Sequence, residues 1–453
     1  MALQPISDRS SGAPFALRGR IGTITPPLSG LPIDTAASVP AAAPRTEARA
    51  GFPFTVFCVY TFILMARPQD FVPALMPLRL ALTFTVITGV VTLLGNVRAA
   101  QPLLGGRETR LFLMFFAGML ASIPLSIYRR GSFEVVVLQY ASNVAFYFLF
   151  VLHVNTVRKY RRVVLVLVAA VLTFTIVGLT QGHLAANGRY VTGSPMYDPN
   201  DSAFLEVSLL LFPLAGVVGS YGWLIKLAGI TAIGLGGVLT LLTGSRGGLL
   251  GLGVFLLLLV MLRVGKVGKG VKVALCLMLL ILGSLNLDKI DVDRYETIGN
   301  LENDYNFEEF GRVDIWRRGL QLFAGRPITG VGVNGFGAAI GNMRAEEDQI
   351  PKWQAPHNAY LQVLAETGLL GFVPFVLLIA VTGQHFNRLR RHEAAGSELE
   401  ALPGLLFIGF IAMLVSASFL SQAYSVLFIL YFATSAALRT IAAEPAALPA
   451  AVR

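Results

Sequence analysis

About twelve runs of roughly twenty apolar residues follow one another along this 453-residue chain, and a run of that length is what an α-helix needs to cross a bilayer. They lie near 52–66, 76–95, 110–127, 134–153, 162–181, 203–219, 223–242, 247–262, 271–287, 359–382, 402–419 and 422–441. With 55% hydrophobic and only 14% charged residues, a water-soluble globule of this size is excluded. The expected fold is an all-α polytopic integral membrane protein with about twelve transmembrane helices, spanning 51–441. Residues 1–50, rich in Ala, Pro, Ser and Gly, and residues 442–453 are expected to be cytoplasmic tails, the first of them disordered.

The formal charge of +10 follows the positive-inside rule, so neither a nucleic acid nor an anionic surface is needed to explain it. With a cytoplasmic N-terminus, the inner connections hold Arg98 and Arg107, then Arg158, Lys159, Arg161 and Arg162, then Arg263, Lys266, Lys269 and Lys272, then Arg388, Arg390 and Arg391. Both termini fall inside. The one long polar interruption, 288–358, then falls outside and is acid-rich (Asp288, Asp291, Asp293, Glu296, Glu302, Asp304, Glu308, Glu309). Cys58 and Cys276 both fall in apolar runs, and no CxxC spacing is present. No metal site or cofactor is expected.

Polar chemistry is concentrated on that outer face. Within the loop, Ile315, Trp316, Leu320 and Phe323 recur at helical spacing between charges, predicting an amphipathic helix on the membrane, with Arg317 and Arg318 as headgroup contacts. The glycines of 325–337 allow tight turns, but their spacing fits neither a P-loop nor a dinucleotide fingerprint. The loop ends in Ala355-Pro356-His357-Asn358, directly before an apolar helix.

Each candidate admits a plain reading and a functional one. Arg246, in Thr243-Gly244-Ser245-Arg246-Gly247-Gly248, is either a snorkelling interfacial arginine or an anion ligand at a helix start. Arg312 is either a solvated charge or a ligand, and Arg189 is a further outer-face cation. His357 has the titration range of a general base, or else it caps a helix. Asn358, Gln362 and Glu366 recur every four residues, a polar stripe of the kind that lines a cavity, although Glu366 also suits a structural hydrogen bond. Asp198-Pro199-Asn200-Asp201 reads as a turn and helix cap.

Taken together these motifs resemble the O-antigen ligase and polysaccharide polymerase family of bacterial membrane glycosyltransferases. The resemblance covers about 185–375: Arg189 with Asp198-Pro199-Asn200, Gly244-Ser245-Arg246-Gly247-Gly248, Gly311-Arg312 before Ile315-Trp316, the glycines around 330–337, and His357-Asn358-Ala359-Tyr360 with Glu366-Thr367-Gly368. Arg67-Pro68-Gln69-Asp70 resembles the subgroup found beside exosortase systems. The resemblance implies metal-independent, inverting transfer of a glycan from an undecaprenyl-pyrophosphate carrier to a hydroxyl acceptor, glycan or lipid A-core, at the periplasmic face of the inner membrane. It makes Arg246 and Arg312 the partners of the leaving pyrophosphate and His357 either the base or a diphosphate ligand. It leaves Arg189, Asn200, Asn358, Gln362 and Glu366 as substrate-binding candidates. The competing reading is an exporter or flippase of lipid-linked sugars. Against it, the apolar runs hold almost no internal charge apart from Glu206 and Glu366.

Overall fold

The computed structural model describes residues 51–95, 97, 105–194, 197–265, 267–290, 311–392 and 401–443. The described chain is helical apart from one two-stranded hairpin, in which β1 (His183–Leu184) pairs antiparallel with β2 (Tyr190–Val191). In chain order the helices are α1 (Phe52–Ala66), α2 (Pro68–Phe71), α3 (Leu80–Leu94), α4 (Arg107–Ser122), α5 (Arg129–His153), α6 (Val157–Gln181), α7 (Pro199–Val218), α8 (Trp223–Leu242) and α9 (Arg246–Met261). They continue with α10 (Lys269–Ser284), α11 (Arg312–Gly325), α12 (Phe336–Glu346), α13 (Ala359–Arg391), α14 (Leu402–Ala417) and α15 (Val426–Ala443).

Five of these, α5, α6, α7, α8 and α13, are long and apolar enough to cross a membrane. Each expected apolar run contains a helix, but many are shorter than a full span, so the structure supports a membrane protein without fixing the number of crossings. The outward surface agrees with this, because Leu280 is 71% exposed, Val86 57% and Leu257 56%, a surface no aqueous monomer of this kind would present. Inside, aromatic rings hold the bundle together: Phe112 stacks on Tyr147 at 4.3 Å, and Phe115 lies 5.0 Å from Phe375. The acid-rich part of the polar loop, 291–310, lies outside the described residues, as do both tails.

The helix that follows the candidate histidine is not continuous. Gly368 interrupts α13 with a φ of 56° and ψ of −158°, which breaks the ladder of i to i−4 hydrogen bonds. Such a break leaves buried amides and carbonyls that need partners. The glycine-rich segment supplies them: Val331 N–H donates to Ala365 O and Gly332 N–H to Glu366 O, each at 2.9 Å, while Leu369 N–H donates to Pro327 O at 2.8 Å. Gly330 (φ 66°) sits so close that a Cβ there would fall 2.4 Å from the Glu366 carbonyl carbon. These glycines therefore serve backbone docking and not a phosphate cradle.

The structure corrects two expectations for α11. Ile315 and Leu322 are buried in a small core with Phe336, Ile340 and Ala365, so this helix packs into the protein on that face. Arg318 is not a headgroup contact. It is 5% exposed and bonded to Asp314 at 3.1 Å and to both oxygens of Glu347 at 3.0 and 2.8 Å. Arg344, fully buried, reaches the same Asp314 at 3.2 Å. The reason is geometric: α12 folds back beside α11, and a carboxylate at 347 recovers the charge that solvent would otherwise have stabilised. Arg317 stays exposed and, among the described residues, pairs with Asp314 at 3.3 Å.

Candidate active site

One end of the bundle gathers the candidate residues from five stretches of chain. α9 begins there: Ser245 accepts from Gly248 N–H at 3.2 Å as its cap, which sets Arg246 on the first turn, 8% exposed. Small residues let this turn approach its neighbours. A Cβ on Gly247 would lie 2.8 Å from Phe419 Cβ, and one on Gly248 2.6 Å from Ala203 Cβ. The start of α9 is thereby wedged between α7 and the α14–α15 connection.

Arg189 is tied to the same place. Its Nε donates to Thr243 O at 2.9 Å and its Nη2 to Asn200 Oδ1 at 2.7 Å. Asn200 in turn donates to Asp198 at 3.3 Å, and Asp198 caps α7 by accepting from Asp201 N–H at 2.8 Å. Capping, expected for this motif, is thus confirmed, and the charge of the cap carboxylate also acts on His357.

His357 is held in an unusual backbone state, with φ at 47°. A left-handed non-glycine residue costs about 1–3 kcal/mol and persists only where its surroundings fix it. Two tertiary bonds do so: its N–H donates to Ser421 Oγ at 2.8 Å, and Trp316 Nε1 donates to the preceding Pro356 O at 2.9 Å. The capping role belongs to the next residue, since Asn358 Oδ1 accepts from Tyr360 and Leu361 N–H at 3.0 Å each. The imidazole is therefore not consumed by helix capping.

Three forces act on that imidazole: burial and the Arg312 guanidinium both disfavour its protonation, and Asp198 partly opposes them. The net effect holds His357 below the ordinary histidine value of 6.5, so it is neutral at physiological pH. Because the folded value lies below the unfolded one, folding stability is lost as pH falls from the ordinary value of 6.5 towards the folded one, where the unfolded chain binds the proton and the folded one does not. Arg312→Gln is expected to raise the His357 midpoint towards 6.5 and Asp198→Asn to lower it. Imidazole NMR titration, with the other four of the five histidines replaced, checks this; an unmoved midpoint in both variants would show that neither charge is felt.

The expected polar stripe on α13 has divided fates. Asn358 lines an open apolar groove of about 270 Å³ with Trp316, Leu320, Tyr360, Leu361, Leu364 and Phe372. Gln362 instead accepts from Ala423 N–H at 3.3 Å, and Glu366 accepts from Tyr424 Oη at 2.8 Å and Phe336 N–H at 3.4 Å. Gln362 and Glu366 are 9% and 2% exposed, so both face protein instead of an open cavity. The carboxylate whose charge favours protonation of His357 is Asp198, and Glu366 belongs to the junction of α12, α13 and the α14–α15 connection.

Several participants were not evident from the sequence. Ser421 and Gln422 lie between the last two helices, where Gln422 Nε2 donates to Asp201 Oδ1 at 2.8 Å. Arg67 and Asp70 were singled out only by resemblance. Arg67 forks onto Asp70 at 2.6 and 3.2 Å and lies 4.9 Å over the Tyr197 ring, while Ser194 donates to Asp70 at 2.8 Å. That cluster anchors the far end of the loop that carries Arg189. The serine and glutamine carry no sequence signal beyond a short polar turn.

Among known proteins, the O-antigen ligase family model matches residues 231–376, and no curated protein matches the chain. The matched span contains Arg246, Arg312, His357, Asn358, Gln362 and Glu366, whereas Arg189 and Asn200 lie ahead of it. The region that carries Arg246, Arg312 and His357 at this end of the bundle thus matches an O-antigen ligase domain.

Proposed function

We propose that this chain is an inverting, metal-independent membrane glycosyltransferase of surface polysaccharide biosynthesis. It would take a glycan from undecaprenyl pyrophosphate and pass it to a hydroxyl acceptor at the periplasmic face of the bacterial inner membrane. The observation that carries the reading is that Arg312 and His357, both in the matched domain, and Asp198, ahead of it, come within electrostatic reach of one another at the mouth of a membrane helix.

The chemistry follows from those groups. The acceptor oxygen attacks the anomeric carbon, its proton passes to the His357 imidazole, and the bond to pyrophosphate breaks with its electron pair leaving on the phosphate oxygen. Negative charge grows there, and guanidinium groups match it in geometry as well as sign. Arg246 and Arg312 take that role, with Arg189 as a third cation held by Thr243 and Asn200. A neutral imidazole has a free lone pair for the acceptor proton, which suits the base role, while its N–H can still donate to a diphosphate oxygen. The groove beside Asn358, walled by Trp316, Leu320, Tyr360 and Phe372, gives the isoprenoid part of a donor an apolar path to the site.

Deleting the gene and analysing cell-surface polysaccharide tests this reading. Lipid-linked single repeats would identify a polymerase, and long polymer lacking its anchor would identify a ligase. Unchanged polysaccharide would overturn both.

A further inference from the structure

The far end of the bundle carries a second cleft that glycan transfer does not use. α4 and α13 cross at two glycines, where a Cβ on Gly118 would lie 2.7 Å from Gly371 Cα. The C-terminal end of α4 runs on to the candidate-site end, since Ile127 N–H donates to Val331 O at 2.9 Å. The N-terminal end of α4 therefore lies at the opposite end of the bundle. Beyond the crossing, a groove of about 270 Å³ opens, lined by Arg107, Arg110, Leu111 and Met114 of α4 and Leu377 and Val381 of α13.

Helical spacing sets Arg107, Arg110, Leu111 and Met114 on one side of α4. Glu108 points the other way. It is fully buried and takes hydrogen bonds from Ser435 at 2.9 Å and from Arg439, which fixes the rotation of this turn. The only neighbouring carboxylate on the helix is thereby neutralised from α15. Among the described residues, Arg107 and Arg110 are exposed and have no ion-pair partner.

We propose that this groove binds an anionic glycerophospholipid, with the phosphodiester on Arg107 and Arg110 and one acyl chain along Leu111, Met114, Leu377 and Val381. Two features select that chemistry over a free anion or a neutral lipid. Cations occupy one end of the cleft and apolar side chains the rest, and the rise from Arg107 to Met114 is about 10 Å, a headgroup followed by the start of a chain. Basic residues at the ends of membrane helices attract anionic headgroups. Shape adds to charge here, because the glycine crossing closes the cleft at its far end.

Native mass spectrometry of the purified, delipidated full-length chain tests the proposal. Dioleoylphosphatidylglycerol is expected to bind in preference to dioleoylphosphatidylcholine, and Arg107→Gln with Arg110→Gln to weaken that preference about 30-fold. Leu377→Trp retains both charges and fills the cleft, and it is expected to remove the bound lipid as well. Equal phosphatidylglycerol retention in the wild type and in either monodisperse variant would overturn the site. Displacement by millimolar inorganic phosphate would replace a lipid by a free anion and equally overturn it. None of these residues belongs to the proposed transfer machinery, so the two readings fail separately.

Discussion

Arg246→Ala is expected to lower glycan transfer roughly 10²–10³-fold, the loss typical of removing one donor to a developing negative charge, while the protein remains monodisperse in detergent. The residue is on the first turn of α9, where Ser245 supplies the cap and Gly247 and Gly248 supply the close packing. The turn's architecture thus rests on its neighbours. His357→Ala is expected to cost at least as much, by removing the proton acceptor while Ser421 still receives the backbone N–H at 357. Transfer from a polyprenyl-pyrophosphate-linked glycan by the purified variants gives the measurement. Full activity in both variants would sink the proposed roles. Arg246→Lys separates sign from shape, since lysine keeps the charge and loses the planar fork.

How much of this was readable beforehand differs by level. Hydropathy placed a helix at every run, because side-chain burial in lipid is a local property of about twenty residues. Helix lengths were less legible: α13 runs on to Arg391, and α3 starts only at Leu80, for reasons of capping and packing that hydropathy does not sense. In the site, Arg246, Arg312 and His357 could be selected because each stood in a short motif at a helix start. Asp198 was read as a cap, which it is, but its second role depends on α7 arriving beside the α13 mouth. Glu366 was open both to a cavity-facing reading, from its four-residue spacing, and to a structural hydrogen bond, and the second holds. Its direction was decided by Tyr424 and the start of α12, contacts separated by tens of residues. Arg318 failed for the same reason, since its partner Glu347 lies just past the end of another helix, α12.

A second large effect concerns the break in α13. Gly368→Ala is expected to destabilise the protein by about 2–5 kcal/mol, combining roughly 1–2 for a left-handed Cβ with 1–3 for overpacking. The new methyl would stand 2.5 Å from the Ile328 carbonyl, which is backbone and cannot rotate aside. Gly253→Ala, where no atom lies within 4 Å, is the control and is expected to be neutral or slightly stabilising. Thermal unfolding in detergent distinguishes them. An equal midpoint for both variants would mean that the docking of the glycine segment contributes nothing.

The interruption at Gly368 also has a mechanical meaning. A continuous helix transmits a tilt of its embedded part rigidly to its tip, and a missing turn of the hydrogen-bond ladder removes that stiffness. Here the turns above the break are bonded sideways to 327–332 and to the 420–425 connection. Their position is therefore set by the protein around them and not by the inclination of the shaft below. A bilayer that thins or thickens, and tilts the lower half of α13 to match, would leave the histidine where its neighbours hold it.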